Sequence, residues 1–427
     1  MNTGKVKPVA ATNAGESTPL FSPDGKWIAY QCSEDPVVWA GKSFINIVPT
    51  EGGAIKKLAA TPNDQASLMA WSADGKYVYV GENNKTLYSI YQLSTGEKEI
   101  KEWNKGSKDL LGTANLNANG TYWGFVLQNP STPGEAYISP VTNYAPVKVT
   151  NINADIVTKP VPKTEVVRWK SFDGKEVEGL LTYPLNYEPG KKYPLILNIH
   201  GGPAGVFSQN FIAANSGSYP LAALAEKGIF ILRPNPRGST GYGVDFRISN
   251  QRDWGGADYK DLMAGVDHVI KEGYADPEKL GVMGWSYGGF MSSWVVGHTT
   301  RFKAASIGAP VVNLISQDGT SDIPEFLHSY NRKYFWEDYD TYTLQSPLRY
   351  VANVKTPVML QHGEADERVP LSQSKEFYLA LKRRGVPARL LILPRQPHGP
   401  TEPKMNLKVM QTNVEWFVGY LLEKKGF

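Results

Sequence analysis

One cysteine, Cys32, stands in 427 residues, so no internal disulfide can form. No run approaches the roughly 18 consecutive apolar residues a membrane-spanning helix needs, and Met1–Gly15 lacks the apolar core of a secretory signal. The compartment stays open: a cytoplasmic location is the simpler reading, and a periplasmic or secreted one follows if a leader has been removed. Lys and Arg number 45 against 41 Asp and Glu, a net charge of +4. No basic run is interleaved with aromatics, so nucleic acid is not an expected partner, and neither is a membrane. Cofactor signatures are also missing. Gly41-Lys42-Ser43 resembles the end of a phosphate loop, but Pro36 occupies the position of the required upstream glycine. Gly238 to Gly243 lacks dinucleotide-fingerprint spacing and reads as a loop beside the active site, in which Arg237 is either a structural ion-pair partner, the favoured reading, or a substrate contact. No helix carries paired histidines for zinc. The expectation is therefore no cofactor and no metal.

The chain does contain Gly284-Trp285-Ser286-Tyr287-Gly288-Gly289, directly after the apolar run Leu280–Met283 and before a helix-compatible segment. Ser286 thus reads as the tip of a strand-to-helix elbow. A serine hydroxyl is not ionised near neutral pH; it attacks only where a tight turn exposes it and a base takes its proton. Small residues at 284 and 288 let strand and helix approach closely.

In an α/β-hydrolase the partners follow in the order Ser, Asp or Glu, His, each on the loop after a later strand. Asp366 lies in His362-Gly363-Glu364-Ala365-Asp366-Glu367-Arg368-Val369-Pro370, after the strand-like Thr356–Gln361, and His398 follows the strand-like Ala388–Pro394. Ser286, Asp366 and His398 are accordingly read as a triad. Elimination supports His398, because only six histidines exist. His200 closes a strand in a structural or oxyanion position, His268 and His298 lie on helices, His328 sits in an aromatic-rich loop, and His362 orients its own loop. Glu364 and Glu367 are the rival carboxylates for Asp366, and both read rather as solvated loop charges. The oxyanion needs backbone donors, and His200-Gly201-Gly202-Pro203 follows the apolar strand Pro194–Ile199. Gly202 and Tyr287 are assigned as donors through their main chains, each worth about 3 kcal/mol.

From Tyr193 onward apolar strands alternate with amphipathic helices: a strand at Gly228–Arg233, a helix at Ala257–Glu272, a strand at Lys303–Ala309 and helices at Leu371–Arg383 and Lys404–Glu423. Such alternation predicts a parallel sheet covered on both faces, an α/β fold with its chemistry at the carboxyl ends of the strands. The first 165 residues differ. Phe21-Ser22-Pro23-Asp24-Gly25-Lys26-Trp27 recurs as Trp71-Ser72-Ala73-Asp74-Gly75-Lys76-Tyr77, and more faintly from Leu116 to Trp123. Each turn feeds an alternating strand, at a spacing that suits one four-stranded propeller blade. The domains expected are a partial β-propeller over 1–163 and an α/β-hydrolase over 164–427, joined by a linker at Asn153–Lys163 that Pro160 and Pro162 interrupt.

Together GWSYGG, HGGP, NPRGSTGYG (Asn235 to Gly243) and HGEADERVP resemble the prolyl oligopeptidase family of serine peptidases, in its acylaminoacyl peptidase branch, over Val166 to the C-terminus. That resemblance implies a peptidase with Ser286 as nucleophile, completed by Asp366 and His398, with Gly202 and Tyr287 on the oxyanion and oligopeptides or acyl-peptides as substrates. It also implies Arg368 as a ligand for a substrate carbonyl or carboxylate; the alternative is a loop salt bridge. Phe326, Tyr330, Phe335 and Trp336, in the segment 311–336, either line an apolar pocket or belong to the core.

Family members usually carry seven blades, whereas about three are countable here. The chain is then either the C-terminal part of a longer protein or naturally shortened. Its open sheet edges would seek partners, a second copy included. Dipeptidyl peptidases of the family hold a free amino terminus with paired glutamates. No adjacent Glu-Glu occurs in residues 1–165, which favours a blocked terminus. Two alternatives stay open: a carboxylesterase using the same triad, and a non-catalytic protein whose blades recruit a partner.

Overall fold

The computed structural model describes residues 6–156, 158–214 and 217–423. Met1–Lys5 of the leader reading and Val157 of the expected linker lie outside the described residues. The backbone divides into two compact units: Met1–Thr158 with Ser208–Asn210 and Thr240–Ile248, and the remainder of the chain.

The first unit holds three four-stranded antiparallel sheets among the described residues, propeller-like in their meander order. They run Glu16–Phe21, Trp27–Ser33, Ser43–Pro49 and Lys56–Lys57; then Ser67–Trp71, Tyr77–Asn84, Leu87–Ser94 and Ile100–Glu102; then Leu110–Leu116, Tyr122–Asn129, Thr132–Pro140 and Val147–Lys148. The sequence repeat is also a hydrogen-bond repeat. Ser22 Oγ donates to Asp24 (2.7 Å) and accepts from the Trp27 amide (3.0 Å), and Ser72 does the same with Asp74 (2.8 Å) and Tyr77 (2.9 Å). In the third sheet Asn117 Oδ1 takes the Tyr122 amide at 3.1 Å, so one side chain replaces the serine–aspartate pair. Alternate residues of neighbouring sheets share cores, Ile45 and Ile47 with Trp71 and Val80, and Tyr79 and Ile90 with Trp123 and Phe125. The stretch Thr240–Ile248 joins this unit through Arg247. Its fully buried guanidinium donates to the carbonyls of Ala40, Gly41 and Asn63 at 2.8 Å each.

The second unit is an eight-stranded sheet ordered Thr164–Lys170, Glu176–Thr182, Phe230–Asn235, Tyr193–Ile199, Ala275–Trp285, Phe302–Gly308, Val358–Gly363 and Ala388–Leu393. Its last six strands are parallel, while the first two pair antiparallel, so the sheet is mixed rather than all parallel. Ile196, Ile231, Met283 and Met359 pack on one face against Leu224 of the helix Leu221–Glu226 and Trp416 and Phe417 of the helix Pro403–Leu421. Leu232, one residue on and therefore on the other face, meets the helix Ala257–Lys271 at Gly265, where a Cβ would lie 2.7 Å from Trp169. His328, expected in a loop, lies on the short helix Glu325–Asn331. Among the described residues no helix is long and apolar enough to cross a membrane.

Candidate active site

The strand Ala275–Trp285 ends one residue before Ser286, and the helix Tyr287–His298 begins one residue after it. Ser286 is held at φ 63° and ψ −122°, a conformation that costs a non-glycine residue on the order of 1–3 kcal/mol and persists only when its surroundings over-determine it. They do. Its amide donates to the Gly308 carbonyl (3.0 Å), and its carbonyl accepts from Phe290 (2.8 Å). The flanking glycines are needed for space: a Cβ on Gly284 would lie 2.5 Å from the Gly288 carbonyl oxygen, and one on Gly288 would lie 2.1 Å from that of Ile199.

His398 comes from the loop after the last strand and Asp366 from the loop after Val358–Gly363. His398 Nδ1 sits 2.8 Å from Asp366 Oδ2, with the imidazole part-exposed and the carboxylate fully buried. The Trp285 indole donates to the His398 carbonyl at 2.5 Å, so the histidine loop is tied to the residue preceding Ser286. Asp366 Oδ1 takes the Val369 amide at 2.9 Å, and His362 Nε2 approaches Oδ2 at 3.2 Å. Burial pushes this carboxyl upward, but the bonds from His362 and His398, the His398 charge and the Val369 amide outweigh it and bring it down to about 2. It therefore stays ionised throughout the neutral range.

His362 shows what the motif concealed. It is fully buried in the strand, with Nε2 2.7 Å from the Val369 carbonyl and Nδ1 2.7 Å from Ser374 Oγ. Both neighbours of Nε2 are acceptors, so that nitrogen carries the hydrogen and Nδ1 accepts from Ser374. The signal available was its position four residues before Asp366. His200 is likewise structural: its nitrogens lie 2.8 Å from the Gly201 carbonyl and 2.9 Å from Ser239 Oγ, and burial pushes it down to about 4, so it is neutral.

Gly201 abuts the nucleophile position, since a Cβ there would lie 3.5 Å from Ser286 Cβ. Gly202 follows at φ 125°, where a Cβ would lie 2.5 Å from the amides of Ala204 and Gly205, so only glycine fits the turn. Tyr287 is buried, and its hydroxyl donates to Asp258.

Arg368 is engaged by Asp322, with Nε at 2.6 Å and Nη2 at 3.2 Å. Phe326 and Tyr330 pack on Trp254 at 5.8 and 5.2 Å between ring centroids, and Tyr330 is buried. Trp336 instead stacks on Tyr334 (4.6 Å) and is 66% exposed, so the structure places it in another aromatic stack, with Phe335 and His328. Arg237, within the glycine-rich loop, is paired with Asp261 and Asp173 at 2.6 Å each. Among the described residues no three His, Cys, Asp or Glu side chains gather so as to hold a metal ion.

Residues 215–424 match the model of the prolyl oligopeptidase family. The matched segment contains Ser286, Asp366 and His398. The chain is 33% identical over 357 residues to the uncharacterized peptidase YuxL of Bacillus subtilis, covering 82% of this chain and 53% of that protein. Mouse acylamino-acid-releasing enzyme is 28% identical across 99% of this chain and 61% of its own length, and dipeptidyl-peptidase 5 of Porphyromonas gingivalis is 28% identical across 99% and 62%. Acylaminoacyl peptidase of Pyrococcus horikoshii superposes with a TM-score of 0.82 at 26% identity, covering 95% of this chain and 63% of that one. The chain thus spans 53–63% of the length of these relatives, three of which are peptidases by name.

Proposed function

We propose that this chain is a serine peptidase that hydrolyses short peptides through an acyl-enzyme, with Ser286, His398 and Asp366 as its triad. The observation that carries the reading is the 2.8 Å contact of His398 Nδ1 with the buried Asp366 carboxylate, on a loop tied through Trp285 to the strained Ser286 elbow. Ser286 Oγ attacks the substrate carbonyl while His398 Nε2 takes its proton. Asp366 keeps the other ring hydrogen on Nδ1 and stabilises the imidazolium. The negative charge on the carbonyl oxygen is met by the Gly202 and Tyr287 amides. Collapse returns the proton to the leaving amine, and water then repeats the sequence to release the acid.

Two relatives bear the names of acylaminoacyl and dipeptidyl enzymes, and a blocked or acylated amino terminus is the substrate favoured here, because no adjacent glutamate pair occurs in residues 1–165. Arg368 contributes to substrate binding by exchanging Asp322 for a substrate carbonyl or carboxylate. Exposed ion pairs contribute only about 0–1 kcal/mol, so that exchange is not opposed strongly.

The test is a peptide-library digest read by mass, run on the wild type and Ser286→Ala, with fluorophosphonate labelling alongside. Labelling and cleavage should both vanish in Ser286→Ala. Persistent labelling overturns the nucleophile assignment, and a kcat/KM that favours simple esters over acyl-peptides replaces the peptidase by a carboxylesterase.

A further inference from the structure

Tyr287 occupies the first position of the helix after Ser286, where a backbone N–H has no partner within the helix. Where that N–H points depends on the Ser286 backbone, which is strained, and on whatever anchors Tyr287 itself. The anchor is Asp258. The phenol of Tyr287 donates to Asp258 Oδ2, while Asp258 Oδ1 accepts the amides of Gly255 (3.0 Å) and Tyr259 (2.7 Å). The carboxyl is therefore fixed by the first turn of the helix Ala257–Lys271. The Tyr287 ring is clamped as well, edge-on to Trp254 at 4.9 Å and stacked on Phe290 at 5.3 Å. Asp258 is completely buried, so its role is to hold Tyr287 rather than to touch substrate.

We propose that Asp258 is a positioning residue of the oxyanion hole: by holding the Tyr287 phenol it fixes the backbone N–H next to the nucleophile. This rests on the reading of Ser286 as nucleophile and names a part of its machinery outside the triad. Burial, with Asp253 and Asp261 adding to it against the bonds from Tyr287 and Tyr259, raises the carboxyl to about 7, the direction expected of a carboxyl enclosed away from water.

The experiment compares Tyr287→Phe, Asp258→Asn, Asp258→Ala and the double variant Asp258→Asn/Tyr287→Phe in the full chain. Hydrolysis of p-nitrophenyl butyrate, fluorophosphonate inactivation and thermal unfolding are measured on each. Because a displaced oxyanion donor acts on the transition state alone, each single change should lower kcat and the inactivation rate about 10–100-fold with KM within twofold. The double should be no worse than the poorer single, since both break one contact, and Asp258→Asn, which keeps an acceptor, should outperform Asp258→Ala. Multiplying losses, a raised KM with unchanged kcat, or wild-type kcat per folded molecule overturns the proposal. If the Asp258 variants do not fold, Tyr287→Phe, which keeps the ring, decides it alone. Ser286→Ala separates the two readings. Labelling that survives there sinks the nucleophile, whereas a silent Ser286→Ala beside fully active Tyr287→Phe sinks only the role of Asp258.

Discussion

Asp366→Asn should remove nearly all activity and part of the stability at neutral pH. The Asp366 carboxylate has three donors around it: the Val369 amide on Oδ1, and His398 and His362 on Oδ2. An asparagine offers one acceptor and one donor group. If its oxygen faces the histidines, its NH2 meets the Val369 N–H, two donors in a buried space. If it is flipped, the NH2 faces His398 Nδ1 and selects the tautomer protonated at Nε2, which cannot accept the serine proton. Either way kcat should fall on the order of 10⁴-fold.

The stability effect follows from the same carboxyl. Its descent from 3.8 to about 2 corresponds to about 2–3 kcal/mol favouring the ionised folded form. Because the folded value is depressed, this stability is fully present above about pH 4 and disappears as pH falls through about 2. The variant should therefore be less stable than the wild type by about that amount at pH 7, and the gap should close between pH 4 and pH 2. Ester hydrolysis and urea unfolding at pH 7, 4 and 2 measure both effects. A kcat loss below tenfold, or a stability gap as wide at pH 2 as at pH 7, refutes the reasoning.

His362→Ala deserts Asp366, the Val369 carbonyl and Ser374 Oγ while opening a buried cavity. It should destabilise the chain by about 3–5 kcal/mol in urea titrations and lower kcat at least tenfold in the fraction that stays folded. Gly288→Ala would place a methyl 2.1 Å from the Ile199 oxygen and 3.1 Å from that of His200, both main-chain atoms that cannot swing aside. A loss above about 3 kcal/mol is expected, read as a collapse of soluble yield and a lowered unfolding midpoint.

What the sequence disclosed and what it hid divide along a physical line. Helices long enough to show a period were legible: Leu371–Arg383 is found with the bounds its stripe suggests, and Ala257–Lys271 ends one residue early. The helices Leu314–Asp318, Glu325–Asn331 and Tyr339–Leu344 span 5, 7 and 6 residues, two turns or less, so no stripe exists to be read and the region looks like an aromatic loop. The antiparallel strand Glu176–Thr182 escaped for another reason. It buries Glu178, 4% exposed, whose charge breaks the apolar pattern and pairs with Arg168 on the neighbouring strand at 2.9 Å.

The site divides in the same way. Asp366 and His398, 32 residues apart, could be named because an α/β-hydrolase delivers each to the end of a particular strand, so chain order stands in for geometry. His362 was visible in principle, since it sits in the same short motif as Asp366. Asp258 was not. It meets Tyr287 from a different helix, 29 residues away, and no spacing rule links a helix's first turn to the residue after a nucleophile. Groups that must touch the substrate lie where the topology forces them and leave a motif, whereas groups that hold those in place can come from any element that packs nearby. The Asp258 and Tyr287 variants therefore examine a layer of this molecule that sequence order does not encode, and a kcat loss with KM intact is the outcome that places it within the machinery of the reaction.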